Sequence, residues 1–198
     1  MIIPNRGECF VLIHEARPLI HIVAHSIQVC RVALLIADGH LARASDIRRS
    51  LVQAGALLHD ITKTRSITTG ERHAESGGEY LAERGYPEVG EIVRQHVQLD
   101  DFRKAGPVTE AEIVNYADKR VIHDRISPLA ARMAYIVERY GRTPKLRERL
   151  ERIWQETAAI EEKLFQPLPF GPSEVASRLP DAGRRKEMEA YEQTILAY

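Results

Sequence analysis

Histidines and aspartates recur in this sequence where the hydrophobic pattern asks for apolar residues. His25 falls in the stripe Ile22, His25, Val29, Val32, and His96 extends Val89, Ile92, Val93 at i, i+3, i+4, i+7 spacing. Asp118 lies between Val114 and Val121, and His59 with Asp60 closes the apolar run LVQAGALL, 51–58. His73 precedes Ala74, Gly77 and Gly78, small residues that let a helix approach its neighbour closely. A buried imidazole or carboxylate is costly unless it is paired, hydrogen-bonded or metal-bound. Convergence on one metal centre explains such placements on several helices together. Imidazole with carboxylate suits Fe, Mn, Co, Ni or Zn, whereas oxygen ligands alone suit Mg or Ca. His25, His59, Asp60, His73, His96 and Asp118 are therefore the candidate ligands for one or two divalent transition-metal ions.

The elements that must position them are helices, because nearly every segment carries a helical period and no clean two-residue alternation runs for five residues. The fold class is all-α. Asn5 with Glu8 and Thr109 with Glu112 form capping-box patterns that start two helices. A helix from about Leu19 to Asp38 is apolar on two faces and so central, and the run 51–58 reads as a buried helix. Thr62 to Gly70 reads as a polar loop, followed by helices over Arg72 to Arg84 and from Val89 to His96. Asp100 to Pro107 connects to a helix through about Val121, Ser127 before Pro128 starts another that ends near Gly141, and Leu146 to Leu164 marks a long one. QPLPFGP, 166–172, is a Pro-rich break, so residues 1–165 form the main domain and 166–198 an appended helical tail with Met188, Tyr191 and Ile195 on one side.

Composition narrows the function. The 198 residues carry 28 basic and 28 acidic side chains, so no global field draws in a nucleic-acid polymer or an anionic membrane. Cys9 and Cys30 are too few for a disulfide scaffold and read as core residues of a cytoplasmic protein. The apolar stretch Ile27 to Ala37 is interrupted by Arg31 and is short of the roughly 20 residues that cross a bilayer.

The order His25, His59 with Asp60, and Asp118 in NYADKR resembles the HD superfamily of metal-dependent phosphohydrolases, with GALLHDITK as the strongest local match. His73 and His96 look like the extra histidines of its dinuclear subgroup, and the resemblance spans roughly Leu19 to Val137. It implies an HD-type helical fold in which His25, His59, Asp60 and Asp118 hold one metal, with His73 and His96 completing a second site that shares Asp60. It also implies hydrolysis of a phosphoester or phosphoanhydride of a small nucleotide-like substrate, with Asp60 and Lys63 as catalytic residues. Lys63, in an HD-x-x-K pattern, is the cation expected on a substrate phosphate, with Arg65, Arg72, Lys119 and Arg120 as further candidates. Thr62 stands where the cyclic-dinucleotide phosphodiesterase branch commonly has Gly, and no Gly-Tyr-Pro motif follows, so that activity is not expected. Two other readings stay open: a di-iron oxygenase on the same fold, and a non-catalytic module that keeps the metal for stability.

Overall fold

The computed structural model describes residues 2–43 and 45–198. Its helices begin with α1 (Arg6–Glu15), α2 (Ile20–Leu41) and α3 (Arg49–Leu58). A short α4 (Lys63–Thr69), then α5 (His73–Glu83) and α6 (Pro87–Arg94), lead to α7 (Glu110–Asp118). A two-stranded antiparallel hairpin, β1 (Val121–Ile122) and β2 (Arg125–Ile126), precedes α8 (Leu129–Tyr140) and α9 (Pro144–Phe165). A single-turn α10 (Val175–Arg178) and α11 (Asp181–Leu196) complete the chain. The fold is all-α apart from that hairpin.

Helix α2 is the centre, packed against α3, α7 and α11. It is 22 residues long, and by length and composition it could cross a membrane; the sequence reading, which ended the apolar run at Ala37, undercounted it. Most of it is buried in the protein, where Ile27, Val29, Val32, Ala33 and Ile36 face a single hydrophobic cluster. That cluster takes in Val52 and Leu58 of α3, Ile113 and Tyr116 of α7, and Ile160 and Leu164 of α9. Tyr191 of α11 joins it with its ring edge-on to Phe10 at 5.4 Å, so the C-terminal helix docks on α1.

Two capping boxes form as their spacing requires. Asn5 accepts from the Glu8 N–H at 3.1 Å while Glu8 accepts from the Asn5 N–H at 2.6 Å, and Thr109 and Glu112 repeat the exchange at 3.2 and 3.1 Å.

Two expectations fail. The expected loop from Thr62 to Gly70 contains helix α4, which buries none of its residues and so has no apolar stripe to read. The helix expected through Val121 stops at Asp118, because the chain turns into β1 and β2, strands of two residues each and too short for alternation to register.

The pair α5 and α6 meets backbone to backbone. A Cβ on Gly78 would lie 2.8 Å from the Gly90 carbonyl oxygen, and one on Gly90 would lie 2.5 Å from that of Gly78. Only glycine fits at either position, and that contact brings the start of α5 beside the end of α6.

Candidate metal centre

Five segments deliver the candidate ligands to one place. His25 comes from the second turn of α2, His59 and Asp60 from the turn after α3, His73 from the first position of α5, His96 from the turn after α6, and Asp118 from the last position of α7. The turn after α3 is tied to α5 by Thr62, whose buried hydroxyl donates to the His73 carbonyl at 2.8 Å.

Backbone carbonyls fix the imidazoles. His59 Nδ1 donates to Ala56 O at 2.8 Å, His96 Nδ1 to Val93 O at 2.7 Å, and His25 Nδ1 to His123 O at 2.6 Å. In each neutral ring this leaves Nε2 with a free lone pair. These lone pairs face other acceptors. His25 Nε2 is 3.1 Å from Asp118 Oδ1, and His59 Nε2 is 3.5 Å from Asp60 Oδ2 and 3.8 Å from Asp118 Oδ1. His73 Nε2 lies 3.2 Å from both Asp60 Oδ1 and His96 Nε2, and His96 Nε2 is 3.6 Å from the same Asp60 oxygen.

His59 Nε2 and Asp60 Oδ1 are buried without a hydrogen-bond partner among the described residues. An unsatisfied buried acceptor is costly, and two side by side amid further acceptors fit a cation. Two groups have ligand atoms close enough together to hold one: His25, His59 and Asp60, and Asp60, His73 and His96. Asp60 belongs to both. The donor set, imidazole nitrogens with carboxylate oxygens, fits a divalent transition metal.

The electrostatics keep Asp60, Asp118 and His96 in binding form. Burial works to raise the Asp60 carboxyl, but the neighbouring His59, with His73 and His96, holds it well below the usual carboxylate range. Burial likewise opposes ionisation of Asp118, and His25, Arg132 and Lys119 overcome it. The His96 imidazole is pushed down to about 4 by burial and stays neutral. Burial also lowers His59, yet the carboxylate of Asp60, with that of Asp118, leaves it above its ordinary value.

The candidate substrate cations separate. Lys63 Nζ donates to His73 Nε2 at 3.1 Å and lies 3.8 Å from Asp60 Oδ1, with its side chain 34% exposed. Arg65 and Arg72 pair with Glu71 and Glu75 at 2.6 and 2.5 Å on the exposed surface. The buried Arg120 guanidinium donates to Ser127 O, Tyr116 Oη and Pro172 O. Lys119 is buried, pushed down to about 8 by that burial, and clamps His96 O and Asn115 O at 2.6 and 3.1 Å.

Two contributors were missed. The His123 carbonyl that orients His25 sits 98 residues away in a backbone turn with φ +55°, and no sequence pattern announces it. Arg132 of α8, with Nη2 3.5 Å from Asp118 Oδ1, did leave a signal, because it interrupts the buried stripe of Leu129 and Met133.

Residues 22–121 match the family model described as HD domain. A tRNA (cytidine(56)-2'-O)-methyltransferase of Picrophilus torridus is 32% identical over 137 residues, which cover 63% of this chain and 38% of that protein's length. A crystal structure of a predicted HD superfamily hydrolase from an uncultured Thermotogales bacterium has a TM-score of 0.47 at 24% identity, covering 82% of this chain and 92% of that one.

Proposed function

The chain belongs to the HD domain family, and from that premise we propose that it is a metal-dependent phosphohydrolase acting on a phosphoester or phosphoanhydride of a small nucleotide-like compound. The observation that carries this reading is the pair of orphaned acceptors, His59 Nε2 and Asp60 Oδ1, inside a set of imidazoles and carboxylates. A divalent transition metal bound there supplies Lewis-acid polarisation of a phosphoryl oxygen and an activated water near neutral pH.

The chain's own residues do the rest. Asp60 is common to both groups, and its loss disables both. The carbonyls of Ala56, Val93 and His123 hold three imidazoles in one tautomer, so the donor atoms need little reorganisation on binding. Lys63, the part-exposed cation beside Asp60, meets a phosphate oxygen as a point charge.

A nucleotide-like substrate is supported by an open cleft of about 930 Å³ between α8 and α9, lined by Tyr135, Glu138, Arg139, Tyr140, Arg142 and Leu146. Tyr135 connects that cleft to the centre, since its ring packs edge-on against His123 at 5.6 Å. A small substrate rather than a polymer is supported by the basic run on α11. There Arg184 pairs with Asp124 and Asp181, each at 2.9 Å, and Arg185 pairs with Asp181 at 2.6 Å.

The test is elemental analysis of protein purified without chelator, paired with product release from a nucleotide panel under Mn, Fe, Co and Ni. Turnover with about two ions per chain supports the dinuclear hydrolase. Turnover with one ion keeps the hydrolase and removes His73 or His96 from the site. Tightly held metal without turnover on any phosphate compound turns the reading toward oxygen chemistry or a metal-stabilised module, and no metal affinity overturns it.

A further inference from the structure

Arg132 is the cation at this centre that the fold does not explain. Its side chain runs from α8 to within 3.5 Å of Asp118 Oδ1, an oxygen that already has His25 Nε2 at 3.1 Å. Its Nε is buried and has no hydrogen-bond partner among the described residues. The other arginine buried nearby is handled differently, because Arg120 donates through Nε, Nη1 and Nη2 to three oxygens of the fold. A guanidinium that serves only to hold helices together is saturated in this way. One left with a buried donor unpaired beside a site is arranged for something that arrives later.

We propose that Arg132 is the residue that grips a phosphate oxygen of the substrate on the α8 side of the centre. This rests on the phosphohydrolase reading and deepens it by assigning the second anion contact. Successive contacts of 3.8, 3.5, 3.8 and 3.5 Å link Lys63 to Asp60, Asp60 to His59, His59 to Asp118 and Asp118 to Arg132. Lys63 thus stands beside one carboxylate and Arg132 beside the other, and the two cations differ in kind. Lys63 is a flexible point charge, whereas the planar fork of Arg132 matches two oxygens of one phosphate at once. The side chain keeps 15% exposure, so an anion can reach it. Its Cζ is 5.7 Å from the ring centre of Tyr135, which borders the α8–α9 cleft. Arg132 thus sits between Asp118 of the His and Asp cluster and Tyr135 at the border of that cleft.

Two variants separate this role from simple charge balance at Asp118. Arg132→Lys keeps the charge and loses the fork, and Arg132→Met keeps the aliphatic stem and loses both. Each is loaded with metal, analysed for metal content and melting temperature, titrated calorimetrically with inorganic phosphate, and assayed on the best phosphate ester of the panel. Metal content at the wild-type level, with phosphate affinity and KM weakened about tenfold or more in the Met variant and partly in the Lys variant, supports the assignment. Wild-type phosphate affinity and KM in both variants overturns it. So does a Met variant that loses metal, recovers it in the Lys variant, and binds phosphate normally per loaded site, since that pattern belongs to a partner of Asp118 alone. Metal-loaded wild type that neither binds phosphate nor cleaves any phosphate ester removes the hydrolase reading itself, and the role of Arg132 with it. An active wild type with indifferent variants removes only the latter.

Discussion

Helix α7 and the residue pair after it hold two buried polar constellations of opposite construction. At one, Lys163 of α9 donates to Glu112 at 2.6 Å and to Arg103 O at 2.9 Å, while Tyr116 donates to Glu161 at 2.5 Å and accepts from Arg120 at the same distance. Every charge there meets its opposite. At the other, Asp118 joins Asp60 and four histidines in a group rich in acceptors, with Nε2 of His59, Oδ1 of Asp60 and Nε of Arg132 left without a hydrogen-bond partner among the described residues. Both constellations are buried in the same fold, so burial alone does not distinguish structure from function. Saturation does: the first constellation is complete within the chain, and the second is complete only with what it binds.

Substitutions that swap these behaviours test the distinction. Asp60→Ala has the largest expected effect, a fall in kcat on the order of a thousandfold or more together with loss of bound metal, read by turnover and elemental analysis. Activity equal to wild type in that variant would remove the shared carboxylate from the mechanism.

Lys163→Met strikes the saturated side. It strands the Glu112 carboxylate, whose side chain is 4% exposed, and is expected to cost about 3–5 kcal/mol in denaturant unfolding. Metal content per folded chain should stay at the wild-type level, and a variant that lost metal while keeping its stability would erase the contrast.

Acid sharpens it further. The folded-state value of His96 is pushed down to about 4, below the ordinary 6.5, so the unfolded chain takes up a proton first. Its contribution to stability therefore declines as pH falls from about 6.5 toward 4 and is level above that window. His59, held above its ordinary value, acts with the opposite sign: its contribution is fully present below its unfolded value and disappears as pH rises through the folded one. Chelator-treated His96→Gln should accordingly lose less stability than wild type between pH 6.5 and 4.5, measured by urea unfolding. An identical decline in both would mean that His96 is protonated in the fold.

Lys63→Ala has the smallest effect of the four, a rise in KM of about tenfold with metal content unchanged, because a single part-exposed cation contributes modestly.

What could be read in advance followed the range of the interactions. Asn5 with Glu8 and Thr109 with Glu112 act over three residues, and both boxes form where their spacing puts them. His25, His96 and Asp118 were conspicuous because each breaks an apolar stripe, and the structure brings them together. Helix α4 was hidden because KTRSITT buries nothing, so its helicity depends on its neighbours and on Gly70 at φ +75° rather than on a hydrophobic face. The partners of Arg65, Arg72 and Arg120 were hidden for a different reason. A basic residue near a motif looks the same in sequence whether it pairs with Glu71 or Glu75 outside or with carbonyls inside. Phe170 within the Pro-rich stretch and Tyr191 of the tail beyond it lie in the same hydrophobic cluster as α2.

The touching backbones of Gly78 and Gly90 make the centre unevenly fragile to mutation. A single methyl group at either position wedges α5 away from α6 and moves His73 relative to His96, while His25, His59 and Asp118 hang from other helices. Drift at these two codons would therefore disrupt the group of Asp60, His73 and His96 in one step and spare that of His25, His59 and Asp60, without touching any candidate ligand.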